Sequence, residues 1–126
     1  MAHNPGFLKL VNDSRSKIKE LTIDQVVERF KNPKPFFFVD VREDSEWGSS
    51  HCKGAVHIGK GVIERDIETE IPEKNAEIIL YCGGGFRSAL AAEVLQQMGY
   101  TNVASMDGGF RGWCQKNLPV EKPSEV

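Results

Sequence analysis

Long hydrophobic stretches are missing from this 126-residue chain. Apolar runs such as Phe36-Phe37-Phe38-Val39 reach strand length only, far short of the ~18 residues of a membrane span. The opening residues, Met-Ala-His-Asn-Pro-Gly, carry no basic segment leading into an apolar one. No secretory leader is expected, and a cytoplasmic location is. Positive charge is not in excess: 16 Lys and Arg face 18 Asp and Glu, a net charge of −2. That balance argues against nucleic acid and against a membrane surface as partners. Cysteine is scarce. The three present, Cys52, Cys82 and Cys114, are odd in number and widely spaced, unlike a disulfide framework or paired zinc ligands. His3, His51 and His57 are scattered, so no metal is expected. Gly83-Gly84-Gly85 lacks both the dinucleotide spacing and the Lys-Ser/Thr of a phosphate loop, so no nucleotide and no other cofactor is expected. Internal repeats and low-complexity segments are absent as well.

What is present is a globular composition, 40% hydrophobic and 27% charged. A chain of this length makes one domain and buries roughly 65–70% of its unfolded surface, enough for a core without staples. Short apolar runs alternate with amphipathic stretches, the pattern of βα units around a parallel sheet. Pro5 opens a first helix, and Ser14 to Lys19 is a polar link. Ile18 to Leu21 reads as an edge strand. Thr22 and Gln25 form a capping box before Ile23, Val26, Val27 and Phe30 at helical spacing. Phe36 to Val41 reads as a central strand buried on both faces. Glu43 to Trp47 makes a helical turn and Ala55 to Ile58 a weaker strand. Gly61 to Glu70 reads as a helix with Val62, Ile63 and Ile67 inward. Ile78 to Tyr81 is a clear strand, followed by a helix from about Ser88 that Gly99 closes. Val103 to Met106 is the last strand, and Gly108-Gly109 turns into a helix carrying Phe110 and Trp113. The fold class is a doubly wound α/β domain. Its four- or five-stranded, mostly parallel sheet has helices on both faces, with sites expected at the carboxyl ends of the strands.

The segment Tyr81 to Ala91 carries the chemistry. A cysteine stands where a buried strand ends, three glycines follow, and a helix begins. Glycines let amides approach a ligand with no Cβ in the way. Successive inward N–H groups form an anion nest, and the helix N-terminus adds positive potential. Arg87 can place a guanidinium at the rim. A thiol in such a setting is expected to have a depressed pKa and to react as thiolate. Cys82 is therefore the expected nucleophile, with Gly83, Gly84, Gly85, Phe86, Arg87 and Ser88 around the substrate. Cys52 and Cys114 lack a glycine cradle and read as incidental thiols.

These residues resemble the rhodanese-like domain family. Asp40-Val41-Arg42, Glu46-Trp47 and His51-Cys52-Lys53-Gly54-Ala55 are similar to its opening signature. Cys82 to Ser88 is similar to its active-site loop, and Asp107-Gly108-Gly109-Phe110-Arg111-Gly112-Trp113 to its closing signature. The resemblance covers 18–118, leaving an N-terminal extension, 1–17, expected to hold a short helix, and a loose tail, 119–126. It implies a single-domain sulfurtransferase. Cys82 would take a sulfane sulfur from thiosulfate or a similar donor as a persulfide. It would then pass the sulfur to cyanide, a small thiol or a protein partner. Asp40 and Arg42 match the Asp-x-Arg pair and are expected to support the site by ionic hydrogen bonds. Trp47, His51, Gly54, Asp107 and Trp113 are expected to pack or turn. Phe86 would form an apolar wall suited to a protein or thiol.

Three rival readings have distinct consequences. A binding or regulatory module of the same fold would not turn over. A sulfur carrier would form the persulfide but deliver it to a protein. A phosphatase of the kind that acts on cell-cycle kinases would use Cys-x5-Arg, whereas Cys82 to Arg87 is Cys-x4-Arg. The shorter loop suits one sulfur atom better than a phosphate, because oxyanion donors must be placed to a fraction of an ångström.

Overall fold

The computed structural model describes residues 3–123; 1–2 and 124–126, the ends of the expected extension and tail, lie outside the described residues. Pro5 opens α1 (Pro5–Arg15), where its missing N–H costs nothing. Val11 on this helix is fully buried. Ser14 Oγ donates to Glu93 Oε1 at 2.7 Å, and Lys17 Nζ lies 3.2 Å from Glu93 Oε2. These contacts hold the N-terminal segment onto the domain.

After β1 (Lys19–Leu21), α2 (Ile23–Phe30) starts from Thr22. The Gln25 amide donates to Thr22 Oγ1 and the Thr22 amide donates to Gln25 Oε1, the reciprocal cap that the spacing predicts. β2 (Phe37–Asp40), α3 (Asp44–Ser49), β3 (His51–Cys52), β4 (Val56–His57) and α4 (Ile63–Glu70) follow. β5 (Ile78–Tyr81), α5 (Phe86–Gln97), β6 (Val103–Met106), α6 (Gly109–Gln115) and β7 (Val120–Glu121) complete the order.

Five strands form one parallel sheet in the order β1-β6-β5-β2-β4. Alternation along the strands divides the core into two layers. Val39, Ile78 and Leu80 pack with Ile63, Ile67, Ala91 and Leu95 of α4 and α5. Phe38, Ile79 and Tyr81 pack on the other face with Ile23, Val26 and Trp113 of α2 and α6. From the centre the chain departs in both directions: β5 leads to β6 on one side, and β2 pairs with β4 on the other. The carboxyl ends of β2 and β5 flank this switch point, where open α/β sheets bind ligands. Asp40 and Tyr81 stand side by side there.

Four local expectations change. Phe37 is half-exposed at the amino end of β2, so the strand is not buried over its whole length. Val62 precedes α4 and is exposed, leaving Ile63 and Ile67 as the inward pair. The loop-to-helix transition comes at Phe86 rather than Ser88. The segment after Pro119 is not loose throughout: β7 pairs antiparallel with β3, and the Trp113 indole donates to Pro119 O at 2.8 Å. No helix among the described residues is long and apolar enough to cross a membrane.

Candidate active site

The loop after β5 is shaped by two glycine positions. Gly85 has φ +97°, and a Cβ there would lie 3.2 Å from the Gly108 amide nitrogen. Gly109, φ +55°, touches the loop from below; a Cβ would overlap Cys82 O and lie 2.7 Å from Gly83 O. Only glycine meets both demands without displacing backbone. The close approach lets the first amides of α6 reach the loop. Phe110 N–H donates to Cys82 O at 2.7 Å and Arg111 N–H donates to Gly83 O at 2.9 Å.

These carbonyls therefore point toward α6, and amides of the loop point the other way. Cys82 is fully buried. Gly85 N–H donates to its Sγ at 3.1 Å and Ser88 N–H at 3.4 Å. Ser88 Oγ lies 3.5 Å from the same sulfur and shares a 2.8 Å hydrogen bond with Ser105 Oγ of β6. The amides of Gly83, Gly84, Phe86 and Arg87 have no partner among the described residues. Two backbone donors of the loop thus converge on one sulfur, the kind of peptide arrangement that receives anions.

The structure brings the expected supporting pair together at the neighbouring strand end. Arg42 Nε and Nη2 reach Asp40 Oδ2 at 3.0 and 2.9 Å, and Nη2 donates to Ser50 O at 2.6 Å. Both side chains are buried, and the guanidinium lies 4.1 Å from the Phe110 ring centroid. A buried, hydrogen-bonded pair of this kind ties β2, the α3–β3 junction and α6 into one support.

Arg87 is oriented differently from the substrate-facing arm expected of it. Its two Nη atoms clasp Glu46 at 2.7 and 3.1 Å. This hydrogen bond, and after it the one from the Glu43 amide and the nearby positive charges of Arg87 and Arg42, hold the Glu46 carboxyl below the usual range despite partial burial. Phe86 faces the chain's own N-terminal segment: its ring is 4.3 Å from His3 and 6.1 Å from Phe7, with the Arg15 guanidinium 4.9 Å away.

The other cysteines have different surroundings. Cys52 is buried in β3, and burial pushes its thiol up. Cys114 is exposed on α6. Trp47 stacks against His51 at 3.6 Å and against His57 at 5.0 Å, a packing role. Sequence reasoning gave no role to Glu46, Ser105 or Arg111. Glu46 and Arg111 stand inside the quoted signatures, but nothing local marks their tertiary neighbours. Ser105 has no signal beyond being a polar residue in an apolar strand.

A model of the Rhodanese-like domain matches residues 22–116. Thiosulfate sulfurtransferase GlpE of Haemophilus influenzae (strain PittEE) is 35% identical over 104 residues, 82% of this chain and 94% of that protein. Thiosulfate sulfurtransferase PspE of Escherichia coli (strain K12) is 35% identical over 71 residues, 56% of this chain and 68% of that protein. Among solved structures, RPA3614 from Rhodopseudomonas palustris CGA009, described as a possible tyrosine phosphatase, superposes with a TM-score of 0.78 at 27% identity. That superposition covers 96% of this chain and 98% of the other. The family match takes in the Asp40 strand end, the Cys82 loop and the glycine turn that docks beneath it, and the chain belongs to the rhodanese-like domain family.

Proposed function

We propose that the chain is a rhodanese-type sulfurtransferase that works through a persulfide on Cys82. The observation that carries this reading is the convergence of the Gly85 and Ser88 amides on the Cys82 sulfur. In the first half-reaction the Cys82 thiolate attacks the sulfane sulfur of thiosulfate. A new S–S bond forms, the donor's S–S bond breaks, and sulfite leaves with the electron pair. The added sulfur carries the negative charge and accepts hydrogen bonds from the unpartnered amides of the loop. In the second half-reaction a thiophilic nucleophile, cyanide or a thiolate, bonds to the terminal sulfur and Cys82 leaves as thiolate. Two such displacements give ping-pong kinetics. Asp40 and Arg42 hold the strand ends in register, and Ser88 and Ser105 fix the helix start against the sheet.

The names of the GlpE and PspE relatives support thiosulfate as the donor. A protein acceptor would make the same persulfide a carrier state without altering the first step. A phosphatase reading has less support: Arg87, the residue that would wrap a phosphate, is clasped by Glu46. Intact mass measured after incubation with thiosulfate tests the proposal. The expected result is a gain of one sulfur atom that cyanide removes and that Cys82→Ser abolishes. No gain with thiosulfate or any other sulfane donor, or hydrolysis of an aryl phosphate instead, overturns it.

A further inference from the structure

A cleft of about 510 Å³ opens beside the Cys82 loop, bordered by Arg42, Glu46, Gly83, Phe110, Arg111 and Cys114. Its charge balance is uneven. The Arg42 guanidinium is neutralised by Asp40. Arg87, which lies beside Gly83 on the loop, is neutralised by Glu46. Arg111 has no carboxylate partner among the described residues, and it is exposed. Its Nη1 lies 3.5 Å from the point where a Gly84 Cβ would stand. Its backbone is anchored to the loop through the bond to Gly83 O.

We infer that Arg111, rather than the glutamate-bound Arg87, binds the oxyanion end of an anionic sulfur donor. The inference rests on the sulfurtransferase reading and names the donor class for the same site: a small sulfonate-bearing ion such as thiosulfate. Cys82 is fully buried and does not itself border the cleft; a donor held there with its oxygens at the guanidinium would reach the thiol with its sulfane sulfur past Gly83, which does border it. The planar fork of arginine suits paired oxygens of such an ion. When the donor S–S bond breaks, the departing sulfite takes the electron pair, so the same contact meets the leaving group. Because Arg111 has no internal carboxylate to release first, binding there requires no ion pair to be broken. The second half-reaction involves no oxyanion and should not depend on Arg111.

The experiment is steady-state kinetics of the full chain with thiosulfate and cyanide, comparing wild type with Arg111→Ala and Arg111→Lys. Arg111→Ala should raise the thiosulfate KM about tenfold, the size of a charge-assisted contact partly open to solvent. It should leave the cyanide KM and the melting temperature unchanged. Arg111→Lys should recover most of the loss, and added salt should raise KM more steeply in wild type than in the alanine variant. A thiosulfate KM that is unchanged in Arg111→Ala, or a cyanide KM that rises equally, overturns the assignment. A wild-type protein that gains no sulfur from any donor defeats the sulfurtransferase reading itself, and Arg111 with it. Sulfur gained at an unaltered KM in the variant defeats Arg111 alone.

Discussion

Cys52 and Cys82 are equally hidden, each with 0% exposure, and both stand at strand ends. Their surroundings differ in one respect. Cys52 packs among Phe38, Tyr81 and Trp113. Burial there pushes its thiol up more than the neighbouring Tyr81 hydroxyl can offset. Cys82 meets two backbone N–H groups at its sulfur, with more unpartnered amides alongside. Depth alone therefore does not set the two thiols apart. The direction of the peptide groups does, and the proposed role of Cys82 rests on that direction, because a buried donor stabilises charge that a buried ring does not.

The largest expected effect tests this contrast at its centre. Cys82→Ser should reduce sulfur transfer by about a thousandfold or more, since the covalent intermediate is lost, with the circular dichroism spectrum unchanged. Transfer near the wild-type rate would move the nucleophile to another thiol. Gly109→Ala should come next. Its methyl group would displace the Cys82 and Gly83 carbonyls and turn the loop amides away, making Cys82 resemble Cys52. A loss of about 2–4 kcal/mol in urea unfolding, with a slower first half-reaction in stopped-flow, is expected. Unaltered rates would show that peptide direction does not matter.

Glu46→Gln is expected to have a smaller effect. It releases Arg87 toward the cleft and should lower the thiosulfate KM a few-fold, read from initial rates. The same pair gives a pH signature. Hydrogen bonding from Arg87 holds the Glu46 carboxyl below its ordinary range. Its contribution is therefore complete above that range and disappears as pH falls through the lowered value. Melting temperature should fall between about pH 5 and pH 3, and less steeply in Glu46→Gln. Identical slopes in the two proteins would sever the link. The smallest effect is at the other thiol. Cys52→Ala should cost about 1 kcal/mol of stability with no change in kcat/KM, and a kinetic defect would undo the comparison from its inert side.

Much of this architecture could be read from short-range patterns. Thr22 and Gln25 are three residues apart, so their mutual cap needs only local geometry. The strand, cysteine, glycines and helix of the Cys82 loop are contiguous, and the N–H groups come from the same seven-residue stretch that holds the sulfur. The pairing of β3 with β7 was not readable, because each strand is two residues long and carries no period. Phe37 and Val62 read inward by apolar character, yet one lies at a strand end and the other just outside a helix, positions that periodicity does not resolve.

The order of residue types along the chain was enough to single out the Cys82 loop, with its strand, cysteine, glycines and helix, and to divide the domain into βα units. Backbone conformation over a few residues follows from glycine, proline, capping and apolar period. Which guanidinium remains free depended on folding. Arg87 meets Glu46 across 41 positions, and Arg111 comes to the loop because α6 docks on the Cys82 and Gly83 carbonyls. Charge pairing is set by distances in space, and those distances exist only once β2, β5 and β6 lie side by side.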